Sequence, residues 1–193
     1  MIVQTLTGEA LVRSLSDVAR LRIEVFRDWP YLYDGDLAYE QNYLQSYRDS
    51  PKAIVVGAFE EDRLVGASTG TPLADHADSF AAPFAQTGLN LSDIFYCAES
   101  VLLPDFRGRG IGHRFFDLRE DHARKYAFTK CCFCAVIRPE DHPARPAHYS
   151  PLDTFWKSRG YAPLDGVQAE FSWKDIGVET ETIKRLQFWI RDL

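Results

Sequence analysis

Residues 94–112 read IFYCAESVLLPDFRGRGIG and decide the fold of this chain. The apolar run 94–103 predicts a buried strand, which ends at Pro104 because proline has no backbone N–H to donate. After the break, apolar residues recur at helical spacing beside charged ones, which predicts an amphipathic helix. The apolar positions of this helix are Ile111, Phe115, Leu118 and Tyr126. The stretch therefore predicts a strand, a turn and a helix in succession.

The turn between this strand and this helix is rich in glycine and arginine. Gly108, Gly110 and Gly112 leave the backbone without Cβ atoms where the helix begins, and the N–H groups of a first helical turn have no partner inside the helix. Arg107 and Arg109 add positive charge at the same place. We therefore expect the turn to bind a pyrophosphate group. It lacks the Gly-Lys-Ser/Thr ending of the ATPase phosphate loop, and its glycine spacing does not match the dinucleotide fingerprint.

The turn resembles the Arg/Gln-x-x-Gly-x-Gly/Ala signature of the GNAT superfamily of N-acetyltransferases, through Arg107, Gly110 and Gly112. The context is similar as well, because a strand that carries Glu99 precedes the turn and a helix and a strand follow it. Further along, the segment 155–161 (FWKSRGY) looks like the Phe-Tyr-x-x-x-Gly-Phe segment of that family. The resemblance covers about residues 94–161.

The resemblance implies a fold, a reaction and a cosubstrate. The implied fold is the α/β GNAT fold, a mixed and mostly antiparallel sheet that is splayed at its central strand, with helices on both faces. The implied reaction is direct transfer of an acetyl group from acetyl-CoA to a primary amine. By position, Val101 and Leu103 would offer backbone groups to the pantetheine arm. The pyrophosphate would bind to Arg107, Gly108, Arg109, Gly110, Ile111 and Gly112.

Glu99 is the one acidic residue in the predicted central strand. A carboxylate in an apolar run is costly unless it is paired or hydrated, so its presence needs a reason. Glutamates near this point often act as the general base in GNAT enzymes, which makes Glu99 the candidate base. The alternative is a structural carboxylate that pairs with an arginine or faces solvent beside a bulge, and a bulge would change the face on which it lies.

The usual acid of the family is the tyrosine of the Phe-Tyr pair, and Trp156 occupies that position here. An indole does not protonate a leaving thiolate in this role, so this assignment cannot be carried over. Tyr149 and Tyr161 are substitute candidates because they lie close by in the sequence.

The segment from Asp28 to Tyr43 is unusually aromatic and acidic, and it predicts an acceptor-binding wall. Aromatic faces and carboxylates both attract an ammonium group. The alternative is structural: aromatic residues wedge two helices together, while Asp34-Gly35-Asp36 turns the chain and caps the second helix. The substrate-binding candidates are Tyr31, Tyr33, Asp34 and Asp36, supported by Tyr39 and Glu40.

Composition fits one domain that spans residues 1–193. The chain is 46% hydrophobic and 13% aromatic, which suits a single sizeable core, and we expect an insertion at about 73–93. The net charge of −6 argues against non-specific nucleic-acid binding. Further strands are expected at 1–6, 53–59, 64–70, 130–138, 168–173 and 182–190, and further helices at 11–26, 37–47 and 152–158.

Other sequence features bear on location and metals. No apolar stretch approaches the roughly 20 residues of a membrane helix, and the N-terminus lacks the layout of a signal peptide. All four cysteines fall in apolar strand segments, which favours reduced thiols in a cytoplasmic protein. A zinc site of Cys132 and Cys134 with His142 or His148 would need an unusual ligand spacing, so no metal is expected.

Two functional alternatives stay open. One is a longer or different acyl donor on the same fold. The other is a non-catalytic acyl-CoA-binding or sensing module, which the missing tyrosine allows. The acceptor would be an unidentified small-molecule or peptide amine, no nucleic-acid or membrane partner is expected, and a homodimer is possible.

Overall fold

The structure is a computed structural model that describes the backbone of residues 1–193 and every side chain except those of residues 77, 78 and 81. The described backbone forms eight strands and five α-helices. The strands are β1 (Ile2–Leu6), β2 (Ile54–Glu60), β3 (Arg63–Pro72), β4 (Ile94–Tyr96), β5 (Ser100–Leu102), β6 (Lys130–Val136), β7 (Ala162–Trp173) and β8 (Thr182–Asp192). The helices are α1 (Gly8–Phe26), α2 (Leu37–Asp49), α3 (Ala77–Phe84), α4 (Ile111–Lys125) and α5 (Asp153–Ser158).

The strands form one mixed sheet in the order β1-β2-β3-β4-β6-β8-β7, and β5 pairs with β3. The pair β4–β6 is parallel, and the other pairs are antiparallel. The predicted α/β fold with a mixed, mostly antiparallel sheet is therefore confirmed. The predicted elements are present with shifted ends, most of all at β7, which begins at Ala162 rather than at 168.

The central strand is broken by a bulge, whereas the apolar run 94–103 predicted one continuous strand. Tyr96 pairs with Thr71 and Ser100 pairs with Ser68, so three residues of this strand lie opposite two residues of β3. Thr69 serves both sides of the bulge, because it accepts from Ala98 N–H (3.1 Å) and donates to Glu99 O (3.0 Å). One extra residue of this kind shifts the alternation of side chains between the two faces.

The sheet opens beyond this bulge. Cys97 N–H donates to Cys132 O (2.8 Å), which continues the parallel pairing of β4 with β6. After that point β5 stays with β3, while β6 continues along β8 as far as Val136. A gap between β5 and β6 follows, as expected for a sheet splayed at its central strand.

Helices cover both faces of the sheet. Gly66 of β3 faces Phe115 of α4, because a Cβ added there would lie 3.2 Å from that ring. Thr69 lies an odd number of residues further along β3 and contacts Tyr47 of α2 on the opposite face. Helices α1 and α2 therefore share one face, and α4 lies on the other.

The segment 73–93 covers part of the α1/α2 face. It contains α3 between two short 3₁₀ turns, and Phe80 and Phe84 pack against Phe188 in a second apolar cluster. Part of the segment where an insertion was expected is therefore helical. None of the described helices combines the length and apolar character that crossing a membrane requires.

Candidate active site

The loop before helix α4 has the backbone of an anion-binding turn. Gly108 and Gly110 have φ of +74° and +79°, a region that favours glycine, and Gly110 is the N-cap of α4. The first hydrogen bond of the helix is donated by Arg114 N–H to Gly110 O (3.2 Å), which leaves the preceding N–H groups available. A Cβ added at either glycine would meet no atom within 4 Å, so the loop is open on its outer side.

Two arginines flank this open loop. Arg107 Nε donates to Leu102 O (3.1 Å), and Arg109 Nη2 donates to Asp105 O (2.8 Å). Both side chains are exposed, and neither forms an ion pair within the described part of the chain. Their positive charge is therefore available to an anion at the start of α4.

The backbone of β5 has one edge against β3 and one edge at the gap. Leu103 N–H donates to Val65 O (3.0 Å), so Leu103 faces β3. Hydrogen-bonded residues alternate along antiparallel strands, so Val101 also faces β3 while Ser100 and Leu102 face the gap. This corrects the prediction that Val101 and Leu103 offer free backbone groups, because the pairing with β3 already uses them.

Glu99 lies in the bulge on the face of α1 and α2. Its side chain is buried, with 9% of the residue exposed, and its carboxylate forms an ion pair with Arg22 of α1. The Tyr43 hydroxyl donates to Glu99 Oε2 (3.2 Å) and lies 2.9 Å from the Tyr47 hydroxyl. The bulge puts Glu99 on the face opposite Cys97, which lies close to Arg119 of α4.

Arg22 is shared between two buried carboxylates. It pairs with Glu99 and with Glu40 of α2, and its guanidinium lies 4.5 Å from the centre of the Tyr43 ring. Burial lowers the pKa of Arg22, but the nearby Glu99, Tyr43 and Glu40 outweigh it and raise that pKa above its ordinary value. Two carboxylates and one guanidinium leave the cluster with one excess negative charge.

Tyr31 and Tyr149 lie on the same side of the sheet as Glu99. Burial is the main cause of the raised pKa of Tyr31, and Cys134, Glu99 and Tyr149 are close enough to raise it further. Tyr149 packs edge-on against Trp29, with ring centres 5.9 Å apart. Burial, with a smaller effect of Asp153, also raises the pKa of Tyr149. Tyr149 thus lies beside the loop that carries Tyr31, and its catalytic role stays a prediction.

The loop that carries Tyr31 is attached to the end of the β7–β8 hairpin. Arg138 donates to Pro30 O (2.8 Å) and Tyr31 O (2.7 Å), and it forms a bidentate pair with Asp175 (2.9 Å to each oxygen). Trp173 Nε1 also donates to Tyr31 O (3.0 Å). These contacts fix the backbone of Tyr31, which restricts the positions that its side chain can adopt.

The remaining acceptor candidates have structural partners. Asp34 pairs with Lys174 (2.7 Å) and lies 3.9 Å from Arg27, and the hydrogen bond from Lys174 is the main cause of its lowered pKa. Asp36 caps α2 by accepting from Tyr39 N–H (2.8 Å). Burial and then Glu40 raise the pKa of Tyr33. The structural interpretation therefore accounts for Asp34 and Asp36, whereas the binding roles of Tyr31 and Tyr33 stay predictions.

Tyr161 lies on the α4 face, apart from Glu99. It is buried, its hydroxyl donates to Glu120 Oε1 (3.2 Å), and it packs against Phe116 and Phe133. Burial is the main cause of its raised pKa. A catalytic role for Tyr161 stays a prediction that this buried environment does not favour. Trp156 packs against Phe133, with ring centres 5.0 Å apart.

Arg119 is a buried charge that sequence reasoning missed. It lies on α4, only 1% exposed, and its Nη1 donates to Glu99 O (3.0 Å) and Thr69 O (3.2 Å). Its Nη2 donates to Ser100 Oγ (2.9 Å). Helical periodicity places Arg119 on the face of Phe115 and Phe116, and that position was the available signal. Arg119 fixes the bulge that orients Glu99.

No group of three or more described His, Cys, Asp or Glu side chains could hold a metal ion. All four cysteines are free and buried. Burial raises the pKa of Cys132, and it raises the pKa of Cys134 to about 12. These two thiols are therefore protonated and unreactive at neutral pH.

Comparison with known proteins shows the family of this chain. The family described as "Acetyltransferase (GNAT) family" matches residues 15–152. The chain belongs to this family. No curated protein matches the sequence. The match spans the candidate base, the glycine loop and the segment that carries Tyr31.

Solved structures of acetyltransferases share the fold at low sequence identity. Ribosomal-protein-alanine N-acetyltransferase from Brucella melitensis has a TM-score of 0.65 at 13% identity, with 100% of both chains covered. The putative acetyltransferase yncA from Salmonella typhimurium, with its cofactor acetyl-CoA, has 0.60 at 12%, covering 100% of this chain and 94% of the other. An aminoglycoside 6'-N-acetyltransferase complexed with coenzyme A has 0.59 at 16%, covering 100% and 97%. These similarities concern the fold.

Proposed function

We propose that this GNAT protein transfers an acetyl group from acetyl-CoA to a primary amine by direct attack within a ternary complex. One observation carries the proposal: the gap between β5 and β6 lies between the open loop at the start of α4 and the bulge that carries Glu99. An extended ligand bound by its phosphates at the loop would reach the bulge through this gap.

The acetyl-CoA site would use the loop at one end and β5 at the other. The N–H groups of Gly108 to Gly112 and the charges of Arg107 and Arg109 suit the pyrophosphate. The backbone groups of Ser100 and Leu102, which face the gap, suit the amides of pantetheine. Solved structures of the same fold with acetyl-CoA or coenzyme A support this choice of cosubstrate.

Acetyl-CoA supplies an already activated thioester, so the protein needs to position the amine and manage its proton. Glu99 would accept that proton, either directly or through one water molecule. The ion pair with Arg22 and the hydrogen bond from Tyr43 hold the carboxylate in one orientation. Tyr31, which packs on Phe26 of α1, and Tyr149, which packs on Trp29, would line the acceptor side.

A cationic amine is the acceptor that fits the groups around Glu99. The cluster of Arg22, Glu40 and Glu99 keeps one excess negative charge, and aromatic rings lie beside it. Asp34 and Asp36, proposed from sequence as further acceptor groups, are engaged by Lys174 and by the helix cap, so their contribution would be small. The acceptor is a small-molecule or peptide amine.

A sensing module of the same fold is the second candidate, and Trp156 favours it. The residue lies in an aromatic cluster with Phe133 and Trp189, and its indole does not replace a tyrosine as a proton donor. A sensor would bind acetyl-CoA without turning it over.

One experiment separates these two functions. The purified protein is incubated with acetyl-CoA and a panel of amines, namely polyamines, aminoglycosides, amino acids and peptides with free N-termini, and thiol release is followed. We expect release that depends on one class of amine and that falls strongly in Glu99→Gln. Binding of acetyl-CoA by calorimetry, with no release for any amine, would support the sensor.

Three further proposals concern the whole chain. We propose that residues 1–193 act as a single acetyltransferase domain with an insertion at about 73–93. The cytoplasmic location inferred from the cysteines and the possible homodimer stay predictions.

A further inference from the structure

We propose that the Ser100 hydroxyl, held by Arg119, donates a hydrogen bond to the sulfur of the acyl donor as the carbon–sulfur bond breaks. The inference rests on the proposed acetyl transfer and deepens it, because it names the group that stabilises the leaving thiolate.

The first observation is the unusual environment of Arg119. This buried guanidinium bonds four neutral oxygens: Phe115 O (3.2 Å), Thr69 O (3.2 Å), Glu99 O (3.0 Å) and Ser100 Oγ (2.9 Å). Among the described side chains, no carboxylate lies within ion-pair distance of it. Burying a cation without a counter-ion costs free energy. The unpaired charge of Arg119 also produces a positive electrostatic potential at the bulge.

The second observation is the orientation of the Ser100 hydroxyl. Arg119 can only donate, so Ser100 Oγ must use a lone pair for this bond, and its hydrogen points elsewhere. Ser100 is exposed, although Glu99 before it and Val101 after it are buried. Within the described part of the chain its hydroxyl donates to no protein acceptor. A hydroxyl that accepts from a cation becomes a stronger donor, so Ser100 offers a polarised O–H on the α4 side of the gap.

The third observation is the position of Ser100 relative to Glu99. Glu99 points to the α1/α2 face through its contacts with Arg22 and Tyr43, whereas Ser100 points to the face of α4. The amine would lose its proton on the Glu99 side. The anion-binding loop lies at the start of α4, so the CoA end of the donor leaves on the Ser100 side. Attack and departure then take place on opposite faces of the sheet.

Acetyl transfer at this site needs no tyrosine as proton donor. A carbon–nitrogen bond forms, the carbon–sulfur bond breaks, the amine proton passes to Glu99, and the electron pair of the broken bond stays on sulfur. Ser100 does not transfer its proton. It stabilises the thiolate by a hydrogen bond until solvent protonates it. This donor takes the place of the hydroxyl that Trp156 lacks.

The test uses Ser100→Ala, with Ser92→Ala as an exposed serine away from the site. Loss of a preorganised donor should lower kcat by about 10²–10³-fold, with little change in the KM of acetyl-CoA. A second readout needs no turnover: the pKa of the CoA thiol, bound to the protein, is measured from the ultraviolet absorbance of the thiolate. We expect this pKa to be higher in Ser100→Ala than in wild type and in Ser92→Ala.

Arg119→Lys tests the positioning role. Arg119→Lys should raise the pKa of the bound CoA thiol when Ser100 is present. It should leave that pKa unchanged in the Ser100→Ala variant. An equal rise in both backgrounds would mean that Arg119 does not act through Ser100. An unchanged thiol pKa and kcat in Ser100→Ala would overturn the inference while leaving acetyl transfer intact. A change in the KM of acetyl-CoA alone would mean that Ser100 only contacts the bound donor, and this result would also overturn the inference. Failure of wild-type protein to bind CoA would instead remove the proposed function itself.

Discussion

Arg22 of α1 reaches Glu99 in the bulge of the central strand and forms a buried ion pair with it. The same guanidinium also pairs with Glu40 of α2, so one cation holds together two helices and the centre of the sheet. The arrangement has consequences for stability as well as for chemistry, because removing Arg22 would leave two carboxylates buried without a partner.

Arg22→Ala should lower the free energy of unfolding by about 3–5 kcal/mol, the usual cost of breaking a buried ion pair from one side. Urea denaturation measures this loss. Arg20→Ala is the matched control, since Arg20 lies on the same helix in an exposed pair with Asp17, and its loss should be much smaller. Glu40→Gln in the Arg22→Ala background should recover part of the stability, and strict additivity of the two changes would contradict the shared ion pair.

Glu99→Gln should reduce kcat at neutral pH by about 10²–10⁴-fold, because a general base of this kind contributes that factor. The affinity for acetyl-CoA should stay unchanged, since the side chain points to the other face. Steady-state kinetics and calorimetry separate the two effects. Glu61→Gln, in the exposed β2–β3 turn, is the control. A normal rate in the Glu99 variant would make this residue structural.

Gly110→Val should weaken CoA binding, because a branched side chain at φ +79° strains the turn and occupies the space of the phosphate. Gly88→Val controls for strain alone, since Gly88 has φ of +70° and open space but lies away from the loop. Arg107→Ala should weaken binding by about tenfold or more, as expected for one lost charge-assisted contact. Equal affinity in wild type, Gly110→Val and Arg107→Ala by calorimetry would rule out the anion-binding loop.

Asp36 offers a test of the acceptor wall. Asp36→Ala should cost about 1 kcal/mol of stability through loss of the helix cap, whereas Asp36→Asn keeps a capping oxygen and should cost little. Neither change should alter the KM of the acceptor by much, and the same holds for Asp34→Asn. A selective rise of that KM in both asparagine variants, at unchanged melting temperature, would restore these aspartates as acceptor ligands.

The ion pairs of Asp175 with Arg138 and Lys184 predict how the stability of the protein depends on pH. Burial alone would raise its pKa, but Arg138 and Lys184 outweigh burial and lower it below the ordinary 3.8. A lowered folded-state pKa adds stability that is complete above the unfolded value and is lost as the pH falls through the folded value. Wild-type protein should therefore lose stability more steeply below about pH 4 than Asp175→Asn. Parallel unfolding curves for the two proteins across this range would contradict the predicted role of the ion pair.

The fold was predictable from the sequence because its decisive signals are local. The apolar run 94–103, its stop at Pro104 and the helical spacing after Gly110 give the central unit without any knowledge of distant contacts. The capping role of Asp36 was foreseen for the same reason, since a cap depends on residues within one helical turn.

The arrangement of the site was not predictable, because it depends on one extra residue and on side chains far apart in the sequence. The bulge at Cys97–Glu99 decides which face receives Glu99 and which residues of β5 meet the gap. Arg119 stabilises that bulge from helix α4, and no sequence pattern near residue 99 indicates this contact. Proximity in sequence also suggested Tyr161, which the fold carries to the opposite face.

The gap between β5 and β6 leaves two unpaired strand edges inside the sheet, where most proteins have a continuous ladder. Exposed edges invite pairing with another chain and so favour self-association. In the proposed complex the acyl donor bonds to the β5 edge and fills the gap, which shields both edges. The protein should accordingly aggregate less readily with acetyl-CoA bound than without it.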